Sequence, residues 1–141
     1  MFRIIYASQP SRGFGSLEMS ELVASWRDNN SKLGVTSFLL RLDAHFLLLI
    51  EGPPRTVSAL MDRIWDDARH GDVQILLTGH DSNHHSEGHA LSYADLVNGH
   101  GDGAALGEIT GVCEGLCSAS PLLHDWLSAH ANGHPALQPR A

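Results

Sequence analysis

The segment HDSNHHSEGH brings four imidazoles, His80, His84, His85 and His89, into ten residues. Nitrogen ligands at such density suit Zn²⁺ or Cu²⁺, but the spacing matches no fixed metal motif, and a solvated His-rich loop explains the same residues. Cys113 and Cys117, joined by His124, offer thiolate and imidazole to the same kind of ion. Cysteines at i and i+4 equally suit the buried stripe of a helix, which is the favoured reading. Asp66–Asp67 followed by Arg69–His70 pairs acids with bases; at a helix end, the basic residues complement the dipole and the acids are solvated. The P-loop, HExxH and GxSxG patterns are absent, so no enzymatic activity is expected.

Positioning any of these groups requires elements whose outline is visible in the hydrophobic periods. FRIIYAS reads as a strand ending near Ser8, and SLEMSELVASWRDNN as a helix with Ser16 as N-cap, fading at Asp28–Asn30. GVTSFLLRLDAHFLLLIEG contains two apolar strands around an Asp43–Ala44 hairpin. TVSALMDRIWDDARH is amphipathic, with Gly71 as C-cap, and DVQILLTGH is a fourth strand. A fifth, poorly patterned strand is assigned to Glu87–Tyr93. NGHGDGAALG, residues 98–107, reads as a Gly-rich linker before helices near Leu106–Cys117 and Pro121–His130.

The order βαββαβ, with the doubtful extra strand, is the split βαβ arrangement of a ferredoxin-like α+β sandwich. It places two helices on one face of a single mixed sheet and leaves the other face for the C-terminal helices. The domain layout expected is 1–97, the linker 98–107, a helical extension 108–132 and a frayed tail 133–141.

Composition narrows the function. The 141 residues include 9 Lys plus Arg against 16 Asp plus Glu, a net charge of −7, with 43% hydrophobic and 18% charged residues. No basic face is available for nucleic acid, and no apolar run approaches the ~20 residues that cross a bilayer. Protonating all 10 histidines would move the charge from −7 to +3, so charge should depend on pH near ~6.5. A strand pattern beginning at Met1–Tyr6 leaves no room for a signal peptide, and a cytoplasmic location is expected.

From Phe2 to about Leu96 the chain resembles the BLUF family of bacterial blue-light sensors, through RIIYAS, SWRDNN, GVTSFLL, HFLLLIEGP and RIWDDARHGDVQIL. The resemblance implies a flavin, FAD, held between the two helices. Tyr6 matches the family's electron-donating tyrosine, and Asn30 the asparagine at the pyrimidine edge. Asn29, Arg63, Asp67, Arg69 and His70 fall at or near positions lining the ring edge or the ribityl-phosphate mouth.

The same resemblance exposes departures. Leu48 stands where the family has the glutamine whose rearrangement is the photochemical switch, and leucine neither donates nor accepts a hydrogen bond. Ser37 stands in place of a glycine beside the flavin. His89 and Leu91 replace the tryptophan and methionine that relay the signal, and His84, His85 and Ser86 replace basic and aromatic residues before them. The reading expected first is a divergent sensory or regulatory domain without the usual photocycle, acting through a protein partner, self-association or ligand sensing, with FAD binding weakened or lost. The alternatives are a flavin-binding blue-light or redox sensor with altered chemistry, and a His-rich metal-responsive binder.

Overall fold

The computed structural model describes residues 1–10, 15–42, 44–66, 70–80, 90–97, 100–101, 105–131 and 137. The elements run β1 (Phe2–Pro10), α1 (Ser16–Leu33), β2 (Thr36–Leu42), β3 (His45–Gly52), α2 (Pro54–Asp66), β4 (His70–His80), β5 (Ser92–Asp95), β6 (His100–Gly101), α3 (Ala105–Cys117) and α4 (Pro121–His130). The strands form one sheet in the order β4-β1-β3-β2-β5-β6. Neighbours are antiparallel except β2 and β5, which are parallel. This is the expected α+β ferredoxin-like sandwich, and no helix among the described residues is long and apolar enough to cross a membrane.

Strand alternation explains why the sheet is covered on both sides. Successive side chains point to opposite faces, and β2 and β3 are almost wholly buried. Ile4, Tyr6, Leu39, Phe46, Leu48 and Ile50 pack with Met19, Leu22 and Val23 of α1 and Val57, Met61 and Ile64 of α2. Ile5, Ala7, Phe38, Leu40, Leu42, Leu47 and Leu49 face the other way, against Ile109, Cys113 and Leu116 of α3 and Leu123, Trp126 and Leu127 of α4. The β1–β4 register shifts between Ile5 and Tyr6, passing from Ile5–Leu77 to Tyr6–Ile75. That irregularity lets both Leu76 and Leu77 join the second core despite being consecutive.

Local chemistry sets the boundaries. The Glu18 carboxylate accepts from the Gly15 N–H at 2.9 Å, and Gly34, at φ 68°, closes α1 in a left-handed cap. The helix therefore starts from a Gly15 cap, rather than a Ser16 cap, and continues past Asn30 to Leu33. Gly71 pairs with Gln9 inside the sheet instead of capping α2. The Ser120 hydroxyl accepts from the Leu123 N–H and donates to the Leu76 carbonyl at 2.5 Å, so one side chain both starts α4 and fastens it to β4.

The fifth strand lies later than the Glu87–Tyr93 expected; residues 87–89 are outside the described residues, and β5 is Ser92–Asp95. Buried Asp95 is held there by the Tyr93 hydroxyl at 3.0 Å and the Val97 N–H at 2.9 Å, bonds that a pattern of apolar letters does not reveal. The segment read as linker contains β6 and the first turn of α3. At Gly101, φ is +143°, and a Cβ would lie 2.5 Å from the Tyr93 carbonyl oxygen, so glycine permits this close pairing. Of the tail expected to be frayed, Leu137 is the described residue, and it is buried in the second core.

Burial pushes the Cys113 thiol up from 9.0 to about 12, with the neighbouring Cys117 adding to the effect. An unfolded thiol ionises near its ordinary value, so between about pH 9 and 12 unfolding releases a proton and stability falls as pH rises. The expected limiting slope from Cys113 is ~1.4 kcal/mol per pH unit. Urea midpoints measured from pH 8 upward should show it, and Cys113→Val should flatten it.

Candidate functional site

Helical spacing assembles the site from both sides. Trp26, Asn29 and Asn30 stand at i, i+3 and i+4 on α1, and Leu60, Arg63 and Ile64 repeat that spacing on α2. Between them the sheet contributes Ser37 from β2 and Leu48 and Ile50 from β3. Together these nine residues line a cavity of about 230 Å³.

Trp26, Leu48, Ile50, Leu60 and Ile64 make the apolar part of the lining, and Asn29, Asn30, Ser37 and Arg63 the polar part. Asn30 is buried, and its Nδ2 donates to Ser37 Oγ at 2.8 Å and to the Ala90 carbonyl at 2.9 Å. Ser37 Oγ donates to the same carbonyl at 2.8 Å. Nearby, Arg27 Nε donates to the Leu91 carbonyl at 3.1 Å, so α1 holds the chain entering β5 at two consecutive carbonyls. Arg63, exposed on α2, adds its guanidinium to the lining.

Tyr6 is fully buried and pairs directly with Leu48 across β1 and β3. Leu48 is also fully buried and has Leu39 opposite it on β2. Leu48 lines the cavity, whereas Tyr6 is not among the described lining residues.

Of the residues expected at a site, Asn29, Asn30, Arg63 and Leu48 converge on this cavity, with Tyr6 beside it. His70 begins β4 opposite Pro10, and its side chain, like all of Asp67 and Arg69, lies outside the described residues. Sequence reasoning did not identify Trp26, Ile50, Leu60 and Ile64 as lining residues, although the two i, i+3, i+4 sets carried the signal. The Ala90 carbonyl had no such signal, because backbone groups leave no trace in residue type.

The metal candidates do not form a described site. His80 meets the Phe2 ring edge-on at 5.1 Å, while His84, His85 and His89 lie outside the described residues. Cys113 is buried in the second core, and half-buried His124 reaches Asp125 at 3.4 Å. Among the described residues, no group of three His, Cys, Asp or Glu side chains is arranged to hold a metal ion.

The cavity combines Leu48, Ile50, Leu60, Ile64 and Trp26 with the polar Asn29, Asn30, Ser37 and Arg63, a lining that suits a ring with both apolar faces and polar edge atoms. At about 230 Å³ it lies below the roughly 300–1,000 Å³ of whole-ligand pockets, so it accommodates a ring rather than an entire dinucleotide. A flavin ring is therefore compatible with the residues present, and Asn29, Asn30, Ser37 and Arg63 are the polar groups that would hold it. When bound, a flavin supplies light absorption and electron acceptance; the protein's own contribution is to orient the ring edge and exclude water.

Comparison with known proteins points the same way. The family profile BLUF, "Sensors of blue-light using FAD", matches residues 1–88. The photoactivated adenylate cyclase subunit beta of Euglena gracilis is 33% identical over 70 residues, which are 50% of this chain and 8% of that protein. Thus the match spans less than a tenth of that curated relative.

Among solved structures, BlsA in its photo-activated state superposes with a TM-score of 0.64 at 25% identity, covering 67% of this chain and 69% of that one. Klebsiella pneumoniae BlrP1, in a manganese and cy-diGMP complex, gives 0.66 at 27% identity, covering 77% of this chain and 28% of that one. With the family profile spanning most of the sheet and both helices around the cavity, the chain belongs to the BLUF family, the sensors of blue light using FAD.

Proposed function

We propose that this chain is a sensory or regulatory BLUF domain that keeps a ring-binding cavity but lacks the family's hydrogen-bond switch. It works through ligand occupancy or protein contact rather than the usual photocycle. The observation that carries this reading is Leu48, fully buried at the cavity wall and directly opposite Tyr6. A leucine there interrupts hydrogen bonding between the tyrosine and a ring edge.

A polar ring atom facing Leu48 would go without a partner, at a cost of ~1–3 kcal/mol. This weakens a flavin complex by about tenfold to hundredfold without abolishing it. The Asn30–Ser37 edge favours a second reading, in which flavin is retained as a redox or altered-light sensor.

The cyclase and BlrP1 relatives are much longer than the matched segments, which supports a role beside an effector protein. Flavin is the proposed small ligand, and a protein partner or a second copy is the proposed signalling contact. Nucleic acid and membrane have no part in this reading.

Absorption spectroscopy of protein as isolated, and after adding FAD, tests the proposal. Little or no bound flavin, weak uptake and no reversible red shift under blue light are expected. A stoichiometric flavin with a reversible photoproduct would overturn it. Yellow protein without that photoproduct would favour the second reading.

A further inference from the structure

Away from the cavity, on the side of the sheet covered by α3 and α4, three rings close the end of α4 against the start of β3. The His45 and His130 ring centroids are 4.3 Å apart, and Trp126 lies 4.8 Å from His130 and 5.7 Å from His45. Both imidazoles are half-buried and Trp126 is buried. The other end of α4 is fastened to β4 by the bond from the Ser120 hydroxyl to the Leu76 carbonyl. The helix is thus held at both ends, by a neutral hydroxyl at its start and by imidazoles in its last turn.

Each element around the pair contributes an identifiable group. β1 presents Gln9, whose Nε2 is 3.3 Å from His45 Nε2, and β2 presents Leu42, directly opposite His45. Arg41, beside Leu42, alternates to the other face of the sheet from Leu40 and Leu42. On α4, His124 and Asp125 contact each other at 3.4 Å. Asp43 precedes His45 by two positions and lies outside the described residues.

We infer that His45 and His130 form a pH-sensitive latch for α4, closed while at most one imidazole is charged and released at its last turn when both are. One imidazolium in the cluster has aromatic neighbours within the ~6 Å at which rings attract a cation. A second places two positive charges 4.3 Å apart, which disfavours double protonation roughly fivefold at the dielectric of water and several hundredfold at the value usual near a protein surface. Separating the rings removes that penalty. The open arrangement therefore binds more protons than the closed one, and opening is favoured as pH falls through the ordinary imidazole range near ~6.5. With Ser120 still bound to Leu76, release turns α4 about its first turn and uncovers Trp126, Leu127 and Ala131, all buried when the latch is closed.

Hydrogen exchange of the full chain, read by mass spectrometry at about pH 7.5 and about pH 5 and corrected for the intrinsic effect of pH, tests the latch. Protection of residues 127–131 should fall at least about fivefold in the wild type on acidification, with less than about twofold change in β3. His130→Gln and His45→Gln each leave at most one charge, so either should reduce the fall to under about twofold, and the double variant should reduce it no further. Asp43→Asn should keep the full response. Ring stacking alone would lower protection in the histidine variants equally at both pH values, leaving the wild-type ratio intact.

A wild-type fall below about twofold, an undiminished fall in His130→Gln, or loss of the response in Asp43→Asn overturns the inference. Loss of protection spread evenly over all elements also overturns it, since that is acid unfolding of the whole chain rather than release of one helix end.

Discussion

Leu48→Gln is expected to produce a protein that is less stable than the wild type without ligand and binds FAD more tightly. Leu48 is fully enclosed by the core beneath α1 and α2, so a buried amide without adequate partners should cost ~1–3 kcal/mol. For a chain of this length, that lowers the melting temperature by roughly 3–10 °C. A ring in the cavity supplies partners on one side and Tyr6, paired directly opposite on β1, stands on the other. FAD should therefore recover more stability in the variant than in the wild type, with affinity raised about tenfold to hundredfold. A reversible light-induced product should accompany it. Thermal melts with and without FAD, flavin fluorescence titrations and illuminated difference spectra check the result. Equal loss of stability under both conditions, with unchanged affinity, would show that Leu48 does not limit binding.

Removing α3 and α4, by ending the chain at residue 104, is expected to abolish cooperative unfolding or drive aggregation. These helices cover Ile5, Phe38, Leu40, Leu42, Leu47 and Leu49, a continuous apolar face too large to leave in water. The milder Leu127→Ala change, at a fully buried α4 position, should cost ~2–5 kcal/mol through lost burial and an unfilled cavity. Circular dichroism during urea titration gives both answers. A monomeric 1–104 chain with an unchanged midpoint would mean that the helices are an accessory rather than part of the folding unit.

Much of this architecture was legible because its segments have strong periods. Pro121 and His130 bound α4 as expected, and Leu42 and His45 pair across the expected two-residue hairpin. β5 and β6 were harder because their stability comes from tertiary contacts: the Tyr93–Asp95 hydrogen bond and the close backbone approach at Gly101. At the cavity, the resemblance identified Asn30, Arg63 and Leu48. Ser37 was noticed only as a departure, since its partners are seven and fifty-three positions away in sequence. Side-chain type told what it can bond, but only the fold brought Ala90 within reach.

Because Leu42 pairs directly with His45, the register of β2 and β3 is set right up to their ends. Adding or deleting one residue inside β3 would send the following side chains to the wrong faces, moving Leu48 among the α3 and α4 contacts and Leu49 towards the cavity. This stretch can drift in composition while remaining constrained in length. Attempts to retune the pocket should consequently exchange letters there and place any insertion elsewhere.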